Sequence, residues 1–180
     1  LFSLISNSAW RASSKNFIIN NGVILGVLGI LISVILYAMG MHLDPHWSIG
    51  ILQFILMIAI IVLGISQFKN ANGGFLNWGQ GVKIGVGIAI LAALISVIYN
   101  YFFITFVEPD FMTQIMDIQN QKLLDQGRTE EQIEAANAMT EKFKSPLFAS
   151  AFGIIGSAIG GFIISAIAAA IMKKSEEEIY

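Results

Sequence analysis

The 180-residue chain has 56% hydrophobic and only 12% charged side chains, a composition that excludes both a disordered protein and an ordinary soluble domain. Its net charge of −2 provides no general basic surface, so we expect no nucleic-acid partner. Cysteine is absent from the sequence, which excludes disulfides, thiolate metal ligands and cysteine nucleophiles.

Four long apolar runs without Asp, Glu, Lys, Arg or His dominate the sequence. Because roughly 20 helical residues cross a bilayer core about 30 Å thick, each run is long enough to span a membrane. The sequence therefore predicts an all-α polytopic membrane protein, with one domain over residues 17–172. The predicted spans cover residues 17–41, 47–66, 84–107 and 147–172.

Short polar segments flank the predicted domain. Residues 1–16 include Arg11 and Lys15 and form a juxtamembrane segment that either lies on the bilayer surface or is a disordered tail. A cleavable secretory signal is not expected, because the apolar stretch 1–5 is too short and the basic residues follow it. Residues 173–180 form a second tail, for which a solvated end is favoured over a binding peptide.

The distribution of Lys and Arg predicts the orientation. Basic residues precede span one, lie between spans two and three and open the C-terminal tail, whereas residues 42–46 contain none. By the positive-inside rule, both termini and residues 67–83 face the cytoplasm, and residues 108–146 lie outside. The four basic residues of that outside link count against the rule, although eight acidic residues accompany them.

The outside link carries its own helical pattern over residues 110–144. Pro109 is expected to end span three, and Asp110 to cap a new helix. Gly127 is suited to end that helix, and Thr129 begins a capping box for a second one. We therefore predict a helical hairpin whose apolar stripes either pack on each other and cap the bundle or bind a partner. The candidate docking residues are Met112, Met116, Ile133, Met139 and Phe143.

Rows of small residues at four-residue spacing run along spans one, three and four. In lipid, such rows let helix backbones approach closely, which favours association. They pack the helices of one chain together or form an interface with another chain, and bulky residues in the span-four row are expected to disrupt assembly. Span two lacks such a row and is predicted to face lipid. The packing or interface candidates are Gly153, Ser157, Gly161, Ser165, Gly85, Ala89, Gly22 and Gly26.

No constellation in the sequence has the spacing of a catalytic or metal site, so we expect neither enzymatic activity nor a cofactor. His42 and His46 are four residues apart, but the intervening Asp-Pro pair predicts a turn rather than the helical arrangement typical of metal sites. Glu108 and Asp110 are explained by turn formation and capping. Ion-coupled transport normally requires acidic or basic side chains within the spans, and none of the predicted spans contains one. Polar residues that are candidates to line a groove are Gln53, Tyr99, Asn100 and Tyr101.

The tyrosine-rich end of span three, followed by Pro-Asp-Phe within residues 96–112, is the most specific stretch of the chain. Together with residues 125–133 and 139–146, it resembles a bacterial family of small four-span membrane proteins, domain of unknown function 4199. The resemblance extends over nearly the whole chain from Phe17. It implies a location in the bacterial inner membrane, with residues 108–146 in the periplasm, and it implies no activity and no catalytic residues.

Two functions are compatible with these features. The first is a non-catalytic accessory or scaffolding subunit of an inner-membrane complex, which binds other integral membrane proteins through span four and the outside hairpin. The second is a small carrier or flippase-like protein for a lipid-linked substrate. The resemblance implies that such a carrier works together with a membrane glycosyltransferase.

Overall fold

The computed structural model describes residues 13–141 and 146–174, and within them the only β-pairing is a bridge between Leu76 and Lys174. The predicted all-α fold with four long apolar helices and a helical hairpin is confirmed. Five residues after α3 continue it as a π-helical turn, Phe103–Val107. The α-helices are α1 (Ser14–Ala38), α2 (Trp47–Ala71), α3 (Trp78–Phe102), α4 (Phe111–Asp125), α5 (Glu130–Glu141) and α6 (Pro146–Met172).

The four long helices, α1, α2, α3 and α6, form a multi-pass membrane unit with two different ends. We call the end with the start of α1, the link 72–77 and the end of α6 the terminal end. The opposite end carries the link 39–46 and the α4–α5 pair, and we call it the hairpin end. The juxtamembrane segment and the C-terminal tail predicted from the sequence lie largely outside the described residues.

The central helix of the bundle is α3. It packs along α1 on one side and along α6 on the other, while α2 contacts all three. The fully buried side chains of α2 and α3 belong to the terminal half, so the closely packed core lies there. This core consists of Ile61, Ile65, Phe68, Leu76, Ile84, Ile88, Ala89, Ile164 and Ala168.

The expectation that span two simply faces lipid is wrong for half of its length. Ile61 and Ile65 of α2 are fully buried, and Phe68 packs edge-to-face on Phe17 of α1 at 5.7 Å between ring centroids. Most of the exposed large apolar side chains of α2, such as Phe54, lie in the half near the hairpin end. The contact does not need a row of small residues on α2, because the single Gly64 lies against Ile88 of α3 and Gly85 of α3 lies against Ile61.

Backbone and side-chain hydrogen bonds hold the terminal end together. Leu76 and Lys174 exchange two backbone hydrogen bonds, of 3.1 and 2.9 Å. Lys69 Nζ donates to the Met172 carbonyl at 2.8 Å, and Trp78 Nε1 donates to the Ala166 carbonyl at 3.1 Å. The link between α2 and α3 is therefore fastened to the end of α6.

The hairpin forms as its sequence predicts, except at its first residue. Gly127 has a φ of +80°, the left-handed conformation that ends α4, and Thr129 and Gln132 form the reciprocal capping box of α5. The expectation that Asp110 caps α4 is wrong. Its backbone has φ −86° and ψ 3° rather than the extended conformation of a capping residue, and its side chain makes no capping hydrogen bond.

Candidate functional site: a groove at the hairpin end

An open groove of about 1480 Å³ lies between the four long helices and extends to the hairpin end. Its inner part is apolar and is lined by Leu25 of α1, Met57 of α2 and Ala92 of α3. The start of α4 borders it through Phe111 and Met112. The groove thus occupies the half of the bundle that the packed core does not fill.

The groove begins where the contact between α3 and α6 ends. In the terminal half, a Cβ atom on Gly81 would lie 2.5 Å from Ala169 Cβ, and one on Gly161 would lie 2.5 Å from Ala89 Cβ. Gly85 lies against Ser165 in the same way. Four residues closer to the hairpin end on each helix, Ala93 of α3 and Ser157 of α6 line the groove. The row of small residues therefore continues in the sequence after the two helices have separated.

The four polar residues proposed from the sequence all line the groove: Gln53, Tyr99, Asn100 and Tyr101. Gln53 follows the first residue of α2 by six positions, which places it about 9 Å inside the span at 1.5 Å per residue. Among the described residues, neither the Gln53 nor the Asn100 amide has a hydrogen-bond partner. Two amides with free donors and acceptors therefore face a groove whose inner part is apolar.

A cluster of polar and aromatic side chains forms the rim. His42 Nε2 and Glu108 Oε2 are 2.7 Å apart, and each side chain is 15% exposed. The other carboxylate oxygen of Glu108 accepts a hydrogen bond of 3.1 Å from Gln114 Nε2. The His42 ring stacks on Phe111 at 6.1 Å and meets Tyr37 edge-on at 4.9 Å, measured between centroids. This cluster fastens the link 39–46 to the end of α3 and the start of α4.

The rim pair also indicates the hydrogen-bond role of one ring nitrogen of His42. A carboxylate only accepts hydrogen bonds, so the geometry assigns the donor role in this pair to Nε2 of His42. The other ring nitrogen, Nδ1, is buried and has no hydrogen-bond partner among the described residues. Within that part of the chain, no group of three or more His, Cys, Asp and Glu residues converges to hold a metal ion.

A family model described as protein of unknown function (DUF4199) matches residues 20–174, which is most of the chain. This chain belongs to that family. Comparisons with curated proteins and with solved structures gave no match. The groove and rim are thus the features of this DUF4199 protein that bear on its function.

The packing candidates of this DUF4199 protein divide into two groups. Gly22 and Gly26 face Leu91 and Ile95 of α3, where an added Cβ would lie 2.8 and 2.9 Å from the nearest atom. Gly161, Ser165, Gly85 and Ala89 lie in the α3–α6 contact described above. By contrast, Gly153 and Ser157 line the groove, and a Cβ on Gly153 would meet no atom within 4 Å.

The docking candidates of the hairpin also lie in different surroundings. Met112 borders the groove and is exposed, Met116 is half-buried and Ile133 of α5 is buried. The main contact of α5 is with α4, and no α4 side chain is fully buried. Met139 lies in α5, but the structure does not describe its side chain. Phe143 lies outside the described residues.

Two polar pairs of the DUF4199 protein are not apparent from local sequence patterns. Local patterns place His42 and Glu108 in separate turns, although both residues follow spans that end on the same side. Asn21, which is 1% exposed, donates to Gln67 Oε1 at 2.9 Å within the packed half. The apolar surroundings of Asn21 in span one were the available signal, since a polar residue there needs a partner.

Proposed function

We propose that this DUF4199 protein is a non-catalytic, membrane-embedded carrier for a lipid-linked substrate, whose hydrocarbon chain lies in the groove. The observation that supports the proposal is the groove itself, with an apolar inner part beside Met57 and unpartnered amides at Gln53 and Asn100. An amphiphile satisfies both surfaces at once. Its chain covers the apolar wall and its head provides hydrogen bonds that a plain acyl chain lacks.

The binding step requires little rearrangement of the bundle. The terminal half is closely packed and keeps the four helices at fixed positions, whereas the groove is already open. Because the groove is open between helices, a chain enters from the surrounding lipid without crossing water. Moving the lipid head group out of the membrane–water interface is favourable only when Gln53 and Asn100 replace the hydrogen bonds that it loses.

Filling the groove with side chains tests the proposal. Gly29 and Gly153 both line the groove, and a Cβ on either would meet no atom within 4 Å, so both positions have open space for the start of a larger side chain. We expect the Gly29→Leu, Gly153→Leu double variant to fold and to lose most of the lipid that co-purifies with the wild type. Native mass spectrometry of the protein released from mild detergent measures the retained lipid.

Gly156→Leu is the matched control. Gly156 lies on the same helix as Gly153, also has open space around its Cβ position and does not line the groove. The control is expected to retain lipid like the wild type. Equal lipid retention by the double variant and the wild type would contradict the carrier proposal.

A second candidate, the accessory subunit of a membrane complex, is supported by the unused part of the small-residue row. Ala149, Gly153 and Ser157 line the groove at four-residue spacing, which is a surface that a helix of another membrane protein can approach closely. Affinity purification from the native membrane, followed by mass spectrometry, distinguishes the two. A stoichiometric protein partner that Gly153→Leu releases and Gly156→Leu retains would favour the accessory function.

We propose the inner membrane of a bacterium as the location, with the terminal end in the cytoplasm. The basic residues support this orientation, because Lys69, Lys83, Lys173 and Lys174 all lie in or beside the terminal end. The positive-inside rule relates such a bias to the cytoplasmic side. In this orientation the groove opens towards the periplasmic side, where the hairpin lies over one of its borders.

A further inference from the structure

We propose that the groove selects an amphiphile whose head group is uncharged and hydrogen-bonding, such as a hydroxyl or a carbonyl on a long-chain lipid. This inference rests on the proposed carrier function and specifies the substrate class. It depends on three observations: the charge along the groove, the charges at its rim and the state of its polar side chains. Together these observations disfavour a phosphate head.

The described lining of the groove contains no Asp, Glu, Lys or Arg, and its two imidazoles, His42 and His46, lie in the link at the hairpin end. A phosphate that leaves water needs a cation or several strong donors to replace its hydration, and arginine and lysine normally provide them. Within the spans, the groove provides the amides of Gln53 and Asn100 and the phenol of Tyr99. Amides and phenols exchange hydrogen bonds with hydroxyls and carbonyls at much lower desolvation cost.

The charges at the rim disfavour an anion further. The Glu108 carboxylate occupies Nε2 of His42 at 2.7 Å, so this imidazole is already engaged with an acid. Lys122 is bound to Asp44 at 2.6 Å between Nζ and Oδ1. An anionic head beside this rim would meet like-charge repulsion from the Glu108 carboxylate, and the one nearby ammonium already has an acidic partner.

The free polar groups of the groove also match a small neutral head. The Ser96 hydroxyl donates back to the Ala92 carbonyl at 3.0 Å and is not a free donor. The amides of Gln53 and Asn100 each keep both a donor and an acceptor available within the described part of the chain. A hydroxyl uses one of each, and a carbonyl uses the donor.

Two lipids with identical chains test this inference. Dioleoylglycerol carries a free hydroxyl, whereas dioleoylphosphatidic acid carries a phosphate at the same position. We expect the purified full-length protein to bind dioleoylglycerol at least tenfold more tightly in a competition measured by native mass spectrometry. We expect Gln53→Leu, Asn100→Leu to weaken the binding of dioleoylglycerol about tenfold, as the loss of two hydrogen bonds in a membrane protein would.

Asn70→Leu is the control for the amide substitutions, because Asn70 is an exposed amide of α2 near the terminal end and does not line the groove. It should leave both affinities unchanged. Equal or tighter binding of phosphatidic acid, with occupancy still abolished by Gly29→Leu, Gly153→Leu, would overturn the head-group assignment and leave the carrier proposal standing. Binding of both lipids that is insensitive to groove filling would contradict the carrier proposal itself.

Discussion

Gly161 shows how much one missing side chain contributes to the fold. A Cβ on Gly161 would lie 2.5 Å from Ala89 Cβ and 3.4 Å from the Gly85 carbonyl oxygen. Neither neighbour is the end of a flexible side chain, so α3 and α6 would have to move apart. Towards the hairpin end of α6, Gly153 belongs to the same row of small residues but has only open space around its Cβ position. The role of a small residue in this row therefore depends on which half of the bundle it occupies.

Gly161→Leu is therefore expected to destabilise the protein by roughly 2 kcal/mol or more, because overpacking at a helix contact strains both backbones. Steric trapping in bicelles measures the free energy of unfolding. Gly156→Leu, on the same helix with open space around it, is the control and should change stability little. A loss of stability no larger for Gly161→Leu than for Gly156→Leu would refute the close α3–α6 contact.

The buried amide Asn21 provides a second test at the residue scale. Its Nδ2 donates to the Phe17 carbonyl and to Gln67 Oε1, both at 2.9 Å, and so connects α1 to α2. Interhelical hydrogen bonds in membranes contribute about 0.6 kcal/mol on average. A double-mutant cycle with Asn21→Ala and Gln67→Ala should give a coupling energy of about that size. Strictly additive effects on unfolding would show that the two amides do not interact.

At the scale of the elements, α4 is fastened to the bundle by two contacts of different quality. The Glu108 carboxylate is largely buried between His42 and Gln114, whereas Lys122 and Asp44 are 52% and 57% exposed. Exposed ion pairs contribute little, typically below about 1 kcal/mol. The rim cluster therefore holds the start of α4 over the border of the groove, and the Lys122 pair adds little.

Glu108→Ala should release the first turn of α4 and raise its hydrogen–deuterium exchange, since His42 and Gln114 lose their common acceptor. Lys122→Ala, which breaks the exposed pair, is the comparison and should change exchange much less. Mass spectrometry of peptides from residues 108–120 reports both effects. Similar exchange in the two variants would show that the buried cluster does not hold the helix.

Much of the helical layout could be predicted because it depends on local chemistry. Apolar runs without charge specify spans, Gly127 ends α4 by its positive φ, and the Thr129 capping box starts α5. The capping prediction for Asp110 depends on residue type alone, and the backbone of Asp110 does not have the conformation of a capping residue. The burial of Ile61 and Ile65 was missed because an all-apolar helix shows no periodicity that distinguishes lipid from protein neighbours.

The groove could be predicted only in part. Its polar residues were identifiable, because Gln53 and Asn100 are unusual in otherwise apolar runs. Their convergence required the relative positions of α2 and α3, which depend on packing in the other half of the bundle. The pairing of His42 with Glu108, 66 residues apart, likewise depends on which helix ends lie side by side.

At the scale of the whole molecule, the absence of cysteine from the sequence makes the proposed orientation directly testable. Gln126 and Lys173 are exposed residues at the hairpin and terminal ends, respectively. In intact cells, a membrane-impermeant maleimide should label Gln126→Cys and leave Lys173→Cys unlabelled until the membrane is opened. The reverse pattern would invert the orientation and place the groove opening on the cytoplasmic side.

The division of the bundle into a packed half and an open half has a consequence for lipid traffic. Ile61, Ile65 and Ile88, all fully buried, close the terminal half, so the groove communicates with a single leaflet of the bilayer. Under the proposed carrier function, a lipid in the groove would be drawn from that leaflet and would return to it. For the proposed carrier, this geometry predicts withdrawal and release of lipid within one monolayer rather than transfer between the two.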